Sequence, residues 1–114
     1  MEFVELPPFE KQFKRFLKKY KSLNDDLAVL KEVIQATPAG NGTKHWQCVH
    51  VEESWGVYKM RMTCRSLAKG KDFRVVYGYF PLANKLELVD LYWKGEQDNE
   101  DFALVKEYMK SKKR

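Results

Sequence analysis

Apolar residues recur with helical spacing in the first third of the chain. One apolar stripe follows Pro7 and Pro8, whose missing N–H groups are tolerated at the start of a helix. Its members are Phe9, Phe13, Phe16, Leu17 and Tyr20. A second stripe consists of Leu23, Leu27, Leu30 and Ile34, and the stretch 37–42 with its two glycines ends it. Because the turn between the stripes is short, the two predicted helices should form an antiparallel hairpin.

After residue 42 the spacing changes to the period of two that is typical of strands. Strands are predicted at residues 44–51, 56–65, 73–80 and 85–93, and the short loops 52–54, 68–72 and 81–84 between them favour antiparallel pairing. A short strand at 3–6 precedes the helices, and a last helix is predicted at 99–110. The order β-α-α-β-β-β-β-α predicts an α+β fold, with the N-terminal helical hairpin packed on a mainly antiparallel sheet.

Length and composition indicate one globular domain. The 114 residues include 44% hydrophobic side chains, so we expect a single domain over residues 1–110 and a basic tail over 111–114. Cys48 and Cys64 show neither a CxxC motif nor zinc-type spacing, which favours a reducing compartment. The first residues lack the features of a signal peptide and no segment has the length of a membrane span, so we expect a cytoplasmic protein with no membrane partner.

Cations are concentrated on one face of the strand predicted at 56–65. Tyr58, Met60, Met62 and Cys64 would lie on one face, and the opposite face would carry Lys59, Arg61, Thr63 and Arg65. The next strand adds Arg74. A row of fixed cations on a sheet suits a polyanion whose phosphates act as ligands, and the net charge of +5 agrees with an anionic partner.

Three segments of the sequence, together with the predicted order of helices and strands, resemble the RelE/ParE superfamily of toxins from type II toxin–antitoxin systems. They are FEKQFK with LKKY near the start, KMR with FRVVY in the middle, and LYWKGE at the end of the last strand. The resemblance covers nearly the whole chain and implies a RelE-like fold. It also implies a cytoplasmic toxin that a cognate antitoxin neutralises, and in the RelE branch a metal-independent endoribonuclease that cuts messenger RNA on the ribosome without a small-molecule cofactor.

Carried over to this chain, the resemblance places the catalytic residues at Lys59, Arg61 and Arg74. Cleavage by the 2′-hydroxyl of RNA needs a base, donors for the charge of the phosphorane and an acid for the leaving oxygen. The arginines would clamp the phosphate, and Lys59 would move a proton only if neighbouring cations lowered its pKa. Further contacts with RNA are expected from Arg65, Lys94, Lys11, Lys14 and Lys18. No metal site is expected.

Other interpretations of the same residues stay open. The cations on the strand and on the first helix could be solvated surface, and Arg74 could form a salt bridge with Glu87 or Asp90. His45 could be a general base or a structural residue. Residues 95–101 are largely acidic and lack the arginine and tyrosine that some RelE-type nucleases carry there. The second hypothesis is therefore a ParE-like or degenerate toxin that acts by binding a protein, such as DNA gyrase.

Large aromatic residues outside the predicted core stripes are candidates for a protein interface. Trp55 and Trp93 do not belong to either helical stripe, and tryptophan is a common anchor at interfaces. We therefore expect these two side chains to be exposed and to form an apolar rim on which an antitoxin segment docks.

Overall fold

A five-stranded sheet lies between a helical hairpin on one face and a single helix on the other. The structure, a computed structural model, describes residues 1–67 and 72–112. The elements are β1 (Glu2–Glu5), α1 (Pro7–Leu17), α2 (Leu23–Ala36), β2 (Trp46–Val51), β3 (Gly56–Met62), β4 (Phe73–Phe80), β5 (Lys85–Trp93) and α3 (Phe102–Lys112). The strand order is β1-β5-β4-β3-β2, with β1 parallel to β5 and the other pairs antiparallel. The predicted α+β fold is confirmed.

The helical hairpin covers one face of the sheet, as the spacing of its apolar residues predicted. The stripes of α1 and α2 pack against side chains that alternate along β3, β4 and β5. This main core includes Phe13, Phe16, Leu27, Leu30, Ile34, Tyr58, Met60, Met62, Phe73, Val75 and Leu88. Full burial of one such side chain contributes about 1.5–3 kcal/mol, so the period of the sequence largely decides which face is covered. None of the described helices is both long and apolar enough to cross a membrane.

The opposite face of the sheet is covered in part by α3, a position that the sequence analysis did not predict for the last helix. A second apolar cluster joins the helix to the sheet and consists of Trp55, Val57, Val76, Val89, Tyr92, Val105 and Tyr108. The Tyr108 hydroxyl donates a hydrogen bond of 2.7 Å to Glu87 Oε1, and Lys112 Nζ lies 3.0 Å from the same oxygen. These contacts hold α3 across the middle of β4 and β5.

Several predicted boundaries shift by two or three residues. The strand predicted at 56–65 ends at Met62, and the helix predicted at 99–110 spans Phe102–Lys112. Ser111 and Lys112, which were assigned to the basic tail, belong to α3 because Glu87 binds the Lys112 ammonium. The rest of that tail, residues 113–114, and most of the predicted loop, residues 68–71, lie outside the described residues.

Trp55 is buried in the second apolar cluster, with an exposed fraction of 8%, so its predicted place on an exposed rim is wrong. Its ring packs against Phe80 at a centroid distance of 6.2 Å. Trp93 is half-buried beside Tyr20. Neither tryptophan therefore forms a large exposed apolar anchor.

Gly78 sets how closely α3 approaches the sheet. A Cβ atom at this position would lie 2.1 Å from the Tyr108 hydroxyl oxygen, which the hydrogen bond to Glu87 holds in place. We predict that Gly78→Ala lowers the free energy of unfolding by about 1–3 kcal/mol, the usual cost of overpacking. Urea denaturation checks this value. In a Tyr108→Ala background the same substitution should cost almost nothing, because the clash is gone; equal costs in both backgrounds would contradict the account.

Candidate active site

The pairing of β3 with β4 places two arginines side by side. Arg61 is the cross-strand partner of Arg74, and Arg74 is in turn the partner of Tyr92 on β5. The Arg61 N–H donates a hydrogen bond of 2.8 Å to the carbonyl oxygen of His45, which immediately precedes β2. His45, Arg61, Arg74 and Tyr92 therefore form a row across four neighbouring parts of the sheet, which we call the transverse row.

The two arginines of the transverse row keep most of their hydrogen-bonding capacity. Arg61 Nε lies 3.5 Å from Asp72 Oδ2, and 41% of its side chain is exposed. Arg74 Nη1 donates to the carbonyl oxygen of Phe73 at 3.3 Å. Because a guanidinium has five N–H donors, each side chain can still bind an anion in a bidentate manner.

The salt bridge considered for Arg74 does not form within residues 1–67 and 72–112. Glu87 binds Tyr108 and Lys112 instead. Asp90 is 3% exposed and accepts the backbone N–H groups of Leu91 and Asp101. Burial raises the pKa of Asp90, and those hydrogen bonds only partly oppose the effect. Arg74 thus has no carboxylate partner among the described residues.

Lys59 lies on the same face but is occupied by a carboxylate. Its ammonium is 3.0 Å from Glu100 Oε1, with 19% of the Lys59 side chain and 6% of the Glu100 side chain exposed. The sequence analysis considered cations as the neighbours of Lys59. The structure instead pairs Lys59 with an anion, the carboxylate of Glu100. The structure therefore places Lys59 in a largely buried ion pair that ties the segment before α3 to the sheet, and not on an open face.

Arg65 does not continue the row of cations, because β3 ends at Met62. The Arg65 guanidinium turns toward the start of α2, where Nε lies 3.4 Å from Asp26 Oδ1 and Nη2 lies 3.2 Å from Asp25 Oδ2. Its backbone N–H also donates to Asp26 Oδ2 at 3.3 Å. The predicted position of Arg65 on the strand face beside Arg61 is wrong.

The remaining cations that were predicted to bind RNA do not join the pair of Arg61 and Arg74, although Lys94 follows Tyr92 by two residues and its backbone N–H donates to the carbonyl oxygen of Asp72 at 3.0 Å. Lys94 Nζ donates to the carbonyl oxygen of Asp98 at 2.5 Å, within the loop after β5. Lys11, Lys14 and Lys18 are exposed on α1 or at its end, and α1 packs on the opposite face of the sheet. The structure brings together only Arg61 and Arg74 as a close pair of predicted catalytic cations.

The acidic segment 95–101 forms intramolecular contacts. Glu96 accepts two hydrogen bonds from Arg15 of α1, at 3.1 and 2.9 Å. Glu100 binds Lys59, and Asp101 Oδ1 accepts the N–H of Leu104 at 3.1 Å, which caps the first turn of α3. Most carboxylates of this segment are therefore used to position α1, β3 and α3.

His45 is the functional candidate whose position the sequence pattern could not reveal. Its Nδ1 atom is buried and has no hydrogen-bond partner among the described residues. Burial lowers the pKa of His45 below its ordinary value of 6.5, the charges of Arg61, Lys44 and Arg74 lower it further, and Asp72 alone raises it. The imidazole is therefore neutral at pH 7. Only the strand register could have placed it beside the arginines.

The other end of the transverse row is Tyr92, which is 2% exposed. Burial, with a contribution from Glu100, raises the pKa of Tyr92 to about 12, although Arg74 opposes the shift. Tyr92 therefore stays protonated near neutral pH and cannot act as a base there, although its hydroxyl can donate or accept a hydrogen bond. Among the described residues no group of three or more His, Cys, Asp and Glu side chains could hold a metal ion.

Comparison with known proteins agrees with the fold predicted from the residues. No protein-family model and no curated protein matches the sequence. Among solved structures, RelE in the archaeal RelE–RelB complex from Pyrococcus horikoshii OT3 matches with a TM-score of 0.57 and 14% identity. The match covers 82% of this chain and 94% of that chain. At this identity the likeness establishes a RelE-like fold.

The acidic segment 95–101 contributes to one largely buried ion pair and one exposed ion pair, and the two should differ in their contribution to the free energy of unfolding. Glu100→Ala leaves the Lys59 ammonium without its partner in a largely buried place, so we predict a loss of about 3 kcal/mol in the free energy of unfolding. Glu96→Ala is the matched control, because both side chains of the Arg15–Glu96 pair are more than 40% exposed and such pairs contribute about 0.2–1 kcal/mol. Chemical denaturation measures both. Equal losses would show that the Lys59–Glu100 pair does not anchor the segment.

Proposed function

We propose that this chain is the toxin of a toxin–antitoxin pair and that it cuts messenger RNA on the ribosome. The observation that carries the proposal is the juxtaposition of Arg61 and Arg74, two guanidinium groups on adjacent strands, of which Arg74 binds no carboxylate in the described part of the chain. The RelE-like fold supports it, since the matching chain was solved as part of a RelE–RelB complex. The proposed site of action is the cytoplasm.

The proposed reaction uses the 2′-hydroxyl of the RNA as nucleophile. Arg61 and Arg74 would bind the two non-bridging oxygens of the scissile phosphate and stabilise the negative charge that grows in the transition state. Arginine stays protonated and cannot act as the base, so a different group must accept the proton. Lys59 would add to the positive potential from its place on β3, and Glu100 offsets part of that charge.

The remaining cations would bind RNA without regard to sequence. We propose that Lys11, Lys14 and Lys18 contact ribosomal RNA phosphates through the exposed side of α1, and that Lys94 and Arg65 contribute beyond the ends of β5 and β3. Such contacts depend on charge and are weakened by salt. Since these side chains lie far apart, they would orient the protein on the ribosome and take no part in bond breaking.

A second candidate function is a toxin that binds a protein target without cutting RNA. The observation that favours it is the Lys59–Glu100 ion pair, which occupies one of the three predicted catalytic cations. The absence of an arginine in the 95–101 segment points the same way. DNA gyrase is the target class that the ParE resemblance suggests.

We also propose that a cognate antitoxin docks in an apolar groove between α2 and the end of β3. The groove has a volume of about 390 Å³ and is lined by the apolar residues Val29, Leu30, Val33, Met60 and Met62 and by the polar residues Asp26, Arg61, Thr63 and Arg65. Val29 and Val33 are unusually exposed for valines, at 60% and 43%. The occupant would be an antitoxin segment with apolar side chains and an acidic residue, because Arg61 lines both the groove and the transverse row. A carboxylate bound there would neutralise a catalytic arginine.

The nuclease proposal predicts a defined loss for each arginine. Arg61→Ala and Arg74→Ala each remove charge-assisted hydrogen bonds of about 1.5–3 kcal/mol, or roughly ten- to a hundredfold in the cleavage rate. Primer extension on translated messages measures the rate, with growth arrest on induction as a second readout. Arg15→Ala is the control, since Arg15 belongs to α1 on the opposite side of the sheet, where it contacts Gln12, Glu96 and the ring of Phe16. Growth arrest that persists in both variants while messages stay intact would favour the protein-binding alternative.

The docking proposal predicts that a charge in the groove prevents neutralisation. Val33→Asp should abolish co-purification with the antitoxin, for which we would use a small acidic protein encoded in the neighbouring reading frame. Leu82→Asp is the matched control, because Leu82 is 90% exposed and lies outside the groove. Unchanged binding of the Val33 variant would place the antitoxin elsewhere on the surface.

A further inference from the structure

The transverse row supplies a base as well as a pair of arginines. The backbone N–H of Arg61 donates a hydrogen bond to the carbonyl oxygen of His45, which holds His45 beside Arg61. The register of β3 and β4 in turn places Arg61 beside Arg74. Adjacent strands lie about 4.8 Å apart, so the three side chains project from neighbouring positions on one face of the sheet. The charges of Arg61 and Arg74 both act on the imidazole, which agrees with this placement.

The two ring nitrogens of His45 have different surroundings. Nδ1 is buried and has no partner in the described part of the chain, whereas Nε2 is not among the buried atoms without a partner and the residue as a whole is half-buried. Buried polar atoms without a partner are rare and call for an explanation, and function is a common one. In the neutral ring one nitrogen is a donor and the other an acceptor. A proton on Nδ1 would leave the lone pair on Nε2.

We infer that His45 is the general base of RNA cleavage and that its Nε2 takes the proton of the attacking 2′-hydroxyl while Arg61 and Arg74 hold the phosphate. This inference rests on the proposed nuclease function. The 2′-oxygen forms a bond to phosphorus, the bond from phosphorus to the 5′-oxygen breaks, and the leaving oxygen takes a proton from water. The products are a 2′,3′-cyclic phosphate and a 5′-hydroxyl. His45 then returns its proton to solvent.

The neighbours of the arginines do not offer a better base. Lys59 is bound to Glu100, and burial raises the pKa of Tyr92 to about 12, so it stays protonated near neutral pH. Asp72, which lies beside Arg61 Nε, is the described carboxylate whose charge reaches His45. The charges facing the ring from the surrounding elements are Arg61, Arg74, Lys44 and Asp72, and the three cations among them favour the neutral imidazole.

The test is the pH dependence of single-turnover cleavage, measured on ribosomes programmed with a short message between pH 5.5 and 8. The wild-type rate should be constant near neutral pH and fall only well below pH 6.5, because protonation of His45 removes the base. His45→Ala should be roughly 10²- to 10⁴-fold slower and should lose that acid limb. Imidazole added to the buffer should restore part of its rate.

Two further variants make the result specific. His45→Gln keeps a polar side chain of similar size but has no basic nitrogen. It should therefore lose activity as the alanine variant does. It takes the place of His45→Ala in the test if that variant does not fold. His50→Ala is the matched control, because His50 contacts Glu52 and lies outside the transverse row. Its rate and pH profile should equal those of the wild type.

The outcomes separate the inference from the proposed function. Cleavage by His45→Ala and His45→Gln within threefold of the wild type, with the acid limb retained, would overturn the role of His45 and leave the nuclease intact. A wild-type protein that leaves the ribosome-bound message uncut would overturn the proposed function and the inference with it. Loss of rate, loss of the acid limb and rescue by imidazole together would establish His45 as the base.

Discussion

The register between β3 and β4 is the constraint on which the candidate site depends. It places Arg61 directly opposite Arg74, and like charges in that position destabilise a sheet. Asp72 offsets only part of the repulsion, since it approaches Arg61 at 3.5 Å and Arg74 binds no carboxylate in the described part of the chain. A slip of β3 by one residue would turn Arg61 into the main core, and a slip of β4 would do the same to Arg74, so the apolar face of the two strands fixes the pair.

The two faces of the sheet are covered in different ways, and the site lies where the coverage ends. The helical hairpin covers one face through a continuous apolar core. On the other face, α3 crosses the middle of the sheet at Gly78 and is held by Glu87 through Tyr108 and Lys112. Arg61 and Arg74 lie near the end of β3 and the start of β4, where α3 does not bury them.

Much of the fold could be predicted from the sequence, because periodic apolar residues decide which faces are buried. The helical hairpin and the four consecutive strands follow directly from a change of period near Gly42. The errors concern long-range pairs: Lys59 and Glu100 are 41 residues apart, and nothing local signals their contact. Arg65 was misplaced because alternation alone does not show where a strand ends. His45 could be placed beside the arginines only after the register of β2 and β3 was known.

The chemical groups at the two ends of the cleaved messenger RNA test the central claim most directly. After incubation of the purified protein with translating ribosomes, the cut messages should carry 2′,3′-cyclic phosphates and 5′-hydroxyls, as internal attack by the 2′-hydroxyl requires. Replacing the 2′-hydroxyl at the cleavage position by hydrogen should abolish the cut. Messages that stay intact, or ends with a 5′-phosphate, would contradict a site in which Arg61 and Arg74 bind the scissile phosphate for attack by the 2′-hydroxyl.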